Sequence, residues 1–149
     1  MALYPTRLDA GEDYASVDDI LGANDLPEST IHVPQWTSKG KPLAIRVRAL
    51  SLAQREQIDR ESTRRDGSID TVVQIEATLR EGVLVPRFDI NTSARLRHKN
   101  GAALEQIASY IWALSALDQD LIDAAVQALA DAAPPPADTS ADAGDSARA

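Results

Sequence analysis

Residues 43–54 read Leu-Ala-Ile-Arg-Val-Arg-Ala-Leu-Ser-Leu-Ala-Gln, and the change of period within them decides the fold. Leu43, Ile45, Val47 and Ala49 alternate with Ala44, Arg46 and Arg48, the two-residue repeat of a strand with one apolar face. At Ser51 the pattern switches. Ser51 and Gln54 stand at capping-box spacing, where hydroxyl and amide each satisfy an orphan backbone donor of a new helix. Upstream, Thr30-Ile31-His32-Val33 is a β-prone run ended by Pro34, and Ser38-Lys39-Gly40-Lys41 supplies a turn in which Gly40 can take positive φ. Two strands alone are marginal, so the apolar face of this hairpin must rest on helices.

The rest of the chain provides them. The helix starting at 52 runs to about 62 and is largely polar, with Leu52, Ala53 and Ile58 to bury. After a loop at 63–67, Ser68 is read as the cap of a helix over 69–81. Its inner face follows Ile69, Val72, Val73, Glu76 and Leu79, rotated toward Ile75 because Glu76 interrupts the stripe. Gly82 stops it. Residues 83–88 form an extended apolar segment that Pro86 keeps out of a central strand position. Asn91 or Thr92 is expected to cap a short basic helix to about 99. The most hydrophobic helix spans 102–114, with Leu104, Ile107, Ala108, Ile111 and Leu114 on one face. Asp118 is read as the cap of the last helix, in which Ile122, Ala125, Val126, Leu129 and Ala133 keep a 3.6-residue period. The short connector predicts that these last two helices pack antiparallel.

The predicted fold is therefore mainly α with an N-terminal β-hairpin, an α+β arrangement of a small helical bundle on two strands, over residues 29–133. Residues 1–28 read as an acidic mobile arm with one short helix, capped by Ser16, with Asp18 and Asp19 at its positive end and Gly22 closing it. Residues 134–149, opened by three prolines and rich in Ala and Asp, read as a disordered tail.

The chain has 149 residues, 44% hydrophobic but only 4% aromatic, so Ala, Val, Leu and Ile must build the core. It has no cysteine, which excludes disulfides and thiolate zinc sites and fits a reducing compartment. No apolar run reaches the ~20 residues of a membrane span, and without an apolar h-region no signal peptide is expected. The cytoplasm is the expected location. The net charge of −8 is unevenly placed: residues 1–28 carry −6, residues 39–99 carry +5, and residues 100–149 carry −7. A basic middle between acidic ends suits charge-complementary self-association or an acidic partner. Duplex DNA is disfavoured by the overall acidity.

No catalytic, metal or cofactor site is legible. His32 and His98 lie far apart with no acid at ligand or triad spacing, and the glycines match no phosphate-binding motif. Glu76, among Val73, Ala77 and Leu79, is the best candidate for a perturbed acid, though a boundary glutamate reaching water reads more simply. The chain thus reads as non-enzymatic, with binding as its function. The residues assigned to partner binding are Trp36, Arg46, Arg48, Arg55 and Trp112. Trp36, at the mouth of the hairpin, is read as a lid on the core or as an exposed anchor. Trp112 and Tyr110 flank the stripe of their helix and either extend the core or stay open to a partner. Arg46, Arg48, Arg55, Arg60, Arg64 and Arg65 are the cations on which a nucleic-acid-binding regulator would rest.

The order of these motifs resembles a family. Val33-Pro34-Gln35-Trp36, a turn, and Val47-Arg48-Ala49-Leu50-Ser51-Leu52-Ala53-Gln54-Arg55-Glu56 are similar to the opening of the tail assembly chaperones of long-tailed, siphovirus-like bacteriophages. Leu96-Arg97-His98-Lys99-Asn100-Gly101-Ala102-Ala103-Leu104 and Ile111-Trp112-Ala113-Leu114-Ser115-Ala116-Leu117-Asp118 resemble later helix junctions of that family, in order over residues 28–130. Gln54 stands where the family has glutamate and Ala116 where it has glycine, and residues 81–88 only approximate its central turn. The resemblance implies a non-catalytic assembly factor that binds the long helical tape measure protein and keeps it soluble in the host cytoplasm. It implies absence from the mature virion, and in many members a frameshifted longer form that recruits the major tail protein. A virion tail-terminator or connector subunit is the alternative.

Overall fold

Alternation in residues 43–49 has its expected consequence. In the computed structural model, which describes residues 5–116 and 119–131, strand β2 (Lys41–Arg48) buries Ile45 and Val47 while Ala44 and Arg46 face water. Strand β1 (Glu28–Ser38) pairs with it antiparallel, placing Ile31 opposite Ile45 and Val33 opposite Leu43. Pro34 does not end β1 as expected. A register shift between Val33 and Thr37 takes Pro34, Gln35 and Trp36 out of the ladder, so the missing proline N–H costs no pairing and the strand resumes at Thr37. The turn closes with Lys39 and Gly40 both at positive φ (52° and 76°), the requirement of a tight hairpin turn.

The sheet has three strands rather than two. The apolar segment after Gly82 forms strand β3 (Val83–Val85), antiparallel to β2, with Val83 opposite Val47 and Val85 opposite Arg46. The order is β1-β2-β3, so β2 is central and β3, ended by Pro86, is an edge strand. One face of the sheet lies on the helices. The other carries Thr30, His32, Ala44, Arg46 and Val85 and has no buried residue among them.

Six α-helices are present among the described residues. α1 (Val17–Gly22) has the expected Ser16 cap, with Asp19 completing a capping box, and buries no side chain. α2 (Leu52–Ser62) starts at the Ser51 capping box: Ser51 N–H donates to Gln54 Oε1 (2.9 Å) and Gln54 N–H to Ser51 Oγ (3.2 Å). It buries Ile58 and Ser62, whereas Leu52 and Ala53 are exposed, contrary to expectation; it is Gln54 of that first turn that reaches α3, donating to Glu81. α3 (Thr71–Gly82) is capped by Asp70, not Ser68. The Asp70 carboxylate accepts from the N–H groups of Val72 and Val73, while Ser68 is held by Asp66. Its buried face is Ala77, Thr78, Leu79 and Gly82, leaving Ile69 and Val72 exposed.

α4 (Ile90–Arg95) is capped by Asp89 instead of Asn91 or Thr92 and passes into a 3₁₀ turn, Leu96–His98. α5 (Gly101–Ala116) buries all five stripe residues expected of it, and also Ala103, Tyr110 and Ala113. α6 (Gln119–Asp131) packs back on α5 and buries Ala125 and Leu129, while Val126 is exposed. The Asp118 cap, Ala133 and the expected disordered tail at 134–149 lie outside the described residues. No helix among the described residues is long and apolar enough to cross a membrane.

Tyr110 belongs to the core rather than its margin. It is 4% exposed, and its hydroxyl reaches Ser29 Oγ at 2.7 Å, joining α5 to β1. Ser115 makes the second such tie. Its Oγ accepts from the Leu50 N–H (2.7 Å) and donates to the Ile111 carbonyl (2.7 Å), fastening the β2–α2 junction to α5.

Candidate functional site

α5 is flanked by the α2–α3 pair on one side and by α6 on the other. Between them an open trough of about 760 Å³ has Ser109, Trp112 and Ala113 of α5 along its floor. Asp59 of α2 and Gln74 of α3 form one wall. Leu121, Ala124, Ala125 and Ala128 of α6 form the other. The trough continues past Trp112 into a recess of about 290 Å³ bounded by Thr71, Ile75, Thr78 and Glu105.

Trp112 is held from two sides. Its indole Nε1 donates to Thr78 Oγ1 at 3.1 Å, and Thr78 donates in turn to the Gln74 carbonyl at 2.7 Å. The Arg55 guanidinium carbon stands over the ring, 5.4 Å from its centroid, where the negative face of the π system attracts a cation. Arg55 is thus occupied by Trp112, and Trp112 is an oriented, half-buried surface at the base of the trough.

The α6 wall results from a second apolar stripe. Leu121, Ala124, Ala125 and Ala128 recur at i, i+3, i+4 and i+7, one residue out of phase with the stripe Ile122, Ala125 and Leu129 that packs on the core. Leu121 is 52% exposed and Ala124 and Ala128 are open to solvent. Small residues here keep the α6 backbone within reach of whatever lies in the trough.

The neighbouring elements are braced by ion pairs. Arg80 joins Glu61, tying α3 to α2, and Arg97 joins Glu76, tying the 3₁₀ turn to α3. Glu76, the sequence candidate for a perturbed acid, is therefore a structural partner of Arg97. The Gln57 amide donating to Glu61, with Arg80 adding to it, holds the Glu61 carboxyl below its usual range, against the opposing effect of burial. Donating to the Glu76 carboxylate, together with its charge, pushes Arg97 above its ordinary value.

The remaining assigned residues do not join the trough. Arg46 and Arg48 share the β2 face as expected, but Arg46 is engaged by Glu28 (Nε to Oε2, 2.9 Å). Arg48 is half-buried, with its Nε buried and unpaired among the described residues. Arg60 pairs with Glu56 and Arg64 with Asp70, at 2.8 and 3.3 Å. Together with Arg55, four of the six arginines considered for nucleic acid have partners already. Trp36 is half-buried against the core at the β1 bulge. It lines a second groove, about 570 Å³, with Leu43, Pro86, Phe88 and Leu96.

The five assigned residues thus divide among three places: Arg55 with Trp112, Arg46 with Arg48, and Trp36 alone. Thr78 and the outer stripe of α6 were missed. The stripe was readable as a second 3.6-residue period; Thr78 carried no local signal, since its role arises only where α3 meets α5. No group of three or more potential metal ligands occurs among the described residues. No family model, curated protein or solved structure matches the chain.

Proposed function

We propose that the chain is a tail assembly chaperone of a long-tailed bacteriophage, holding the tape measure protein in soluble form while the tail tube assembles around it. The ordered motifs over residues 28–130 support this reading, and one structural observation carries it. The trough between α2–α3 and α6 is a mainly apolar recess open to solvent beside α5, with an oriented Trp112 on its floor and an alanine-rich wall. Amphipathic helices are recognised in this way, by laying their apolar side into a hydrophobic groove. A tape measure protein is a succession of such helices. The rim residues Asp59, Gln74 and Glu105 stay at the water boundary and favour a partner whose flanking positions are polar or basic.

The protein would act in the host cytoplasm and be absent from the finished particle, and a frameshifted longer form would add contact with the major tail protein. The test is co-expression with the long helical protein encoded beside it. The expected result is a soluble complex that survives purification, with no trace of the chain in mass spectra of intact virions. A partner that stays insoluble and unbound overturns the proposal, and stoichiometric presence in virions points to a tail-terminator or connector subunit.

A further inference from the structure

The groove at the hairpin tip differs in charge from the trough. Lys39, Lys41, Arg87 and Lys99 stand at or within two residues of its lining, all exposed, and no carboxylate of the described residues pairs with them. Asp89, the acid next in sequence to Phe88, is turned to the Thr92 N–H. The result is an apolar groove inside a basic rim.

The same chain carries a segment of the opposite character. In α1, Val17, Ile20 and Leu21 lie at i, i+3 and i+4 on one face, exposed by 71%, 63% and 77%, and Tyr14 just before it is 88% exposed. Around them stand Asp9, Glu12, Asp13, Asp18, Asp19 and Asp25 against Arg7 alone. It is an acidic amphipathic helix that buries none of its own residues.

The arm does not reach the Trp36 end of the groove in its own molecule. Its root is fixed at Pro27, whose carbonyl accepts from the Ala49 N–H at 2.9 Å, at the far end of the hairpin from the turn. The ten residues from Leu26 to Trp36, most of them in β1, span about 30 Å. From Leu26 back to the start of α1, three extended residues and six helical ones reach about 20 Å.

We infer that the chain self-associates by seating the α1 arm of one copy in the basic-rimmed groove of another. Val17, Ile20 and Leu21 lie against Trp36, Leu43 and Phe88, and the arm's carboxylates face Lys39, Lys41, Arg87 and Lys99. Such a contact joins two different surfaces, so it either closes by reciprocal exchange in a dimer or propagates head to tail. The tape measure partner plays no part in it, and the chain alone is the material to test.

The experiment is sedimentation velocity on the full chain at concentrations up to about 1 mM, the limit at which a small interface is still measurable. Two double variants change exposed side chains only: Ile20→Ser with Leu21→Ser in the arm, and Lys41→Glu with Arg87→Glu at the groove. The wild-type chain associates with rising concentration and less so as salt screens the rim. Each double variant raises the dissociation constant at least about tenfold. An equimolar mixture of the two regains association but stops at a dimer, because one intact arm and one intact groove remain between them. A wild-type chain that stays monomeric, variants that associate like it, or a mixture that stays monomeric overturns the inference.

Discussion

Gly82 ends α3, and its position in the core explains why a larger residue is barred. A Cβ built there stands 2.7 Å from Ile111 Cγ2 and 2.8 Å from Cδ1, and Ile111 is fully buried on α5. Alanine is the better helix former, but overlap with a side chain that has nowhere to move prevails. Gly82→Ala should cost about 1–3 kcal/mol in urea unfolding, and less in an Ile111→Ala background, where Cγ2 and Cδ1 are both gone; equal costs in the two backgrounds would show that the overlap is not the cause. The sequence reading of Gly82 as a helix stop was right about the boundary and silent about the reason, because Ile111 is 29 positions away. Ser115 presents the same problem. It reads as the first residue of the connector after the helix over 102–114, but it lies within α5, and its hydroxyl is the acceptor for the buried Leu50 N–H. Ser115→Ala leaves that donor unpaired, at a cost of about 1–3 kcal/mol, and the Leu50 amide should exchange with solvent faster than in the parent protein.

At the scale of elements, what could be read was local. The Ser51–Gln54 capping box, the alternation of β2 and the stripe of α5 each depend on neighbours within a turn, and each appears where expected. Caps were misplaced where two short polar residues competed. Asp70 prevailed over Ser68, and Asp89 over Asn91, because in each case a carboxylate accepts from the first N–H groups at the positive end of the helix. Those hydrogen bonds hold Asp70 and Asp89 below their ordinary value of 3.8, chiefly through the Val73 N–H and the Thr92 N–H, and Asp66 is lowered by the Ser68 hydroxyl. The sign follows from linkage: a carboxyl depressed in the folded state stabilises it fully above the unfolded value, and that contribution is lost as pH falls through the folded one. The thermal midpoint should therefore be flat above the ordinary carboxylate range and decline below pH 3.8. Asp70→Asn keeps a cap acceptor and removes the titration, so its acid limb should be shallower; an unchanged slope would separate Asp70 from the acid response. Asp19 is lowered in the same manner by Ser16, but α1 buries nothing, so its titration changes the helicity of the arm and not the midpoint of the core.

Across the whole molecule, the sheet and the helices create two recesses that no single element encodes. The extended, non-central character of the third strand was readable, but its pairing was not, because Val83–Val85 is only three residues long and joins positions of β2 nearly forty residues away. Once β3 is placed, Pro86 and Phe88 are carried beside Trp36 and close the groove at the hairpin tip. The trough arises from the opposite event, a failure of closure. α6 turns Ala125 and Leu129 to the core and leaves Leu121, Ala124 and Ala128 across an open channel from Gln74. The two recesses differ in the chemistry at their edges, with acids and amides around the trough and lysines and arginine around the groove, so substitutions in them should separate. Ala124→Arg and Ala128→Arg place long side chains in the trough from solvent-exposed positions. They should abolish capture of the tape measure protein while changing stability by no more than about 0.5 kcal/mol, the usual range for surface sites. Self-association should survive them, and tape measure binding should survive Lys41→Glu with Arg87→Glu. Pull-down and sedimentation on the same four proteins decide the matter. If one set of substitutions removes both activities without unfolding the chain, the recesses act as one surface and the division of labour between them is wrong.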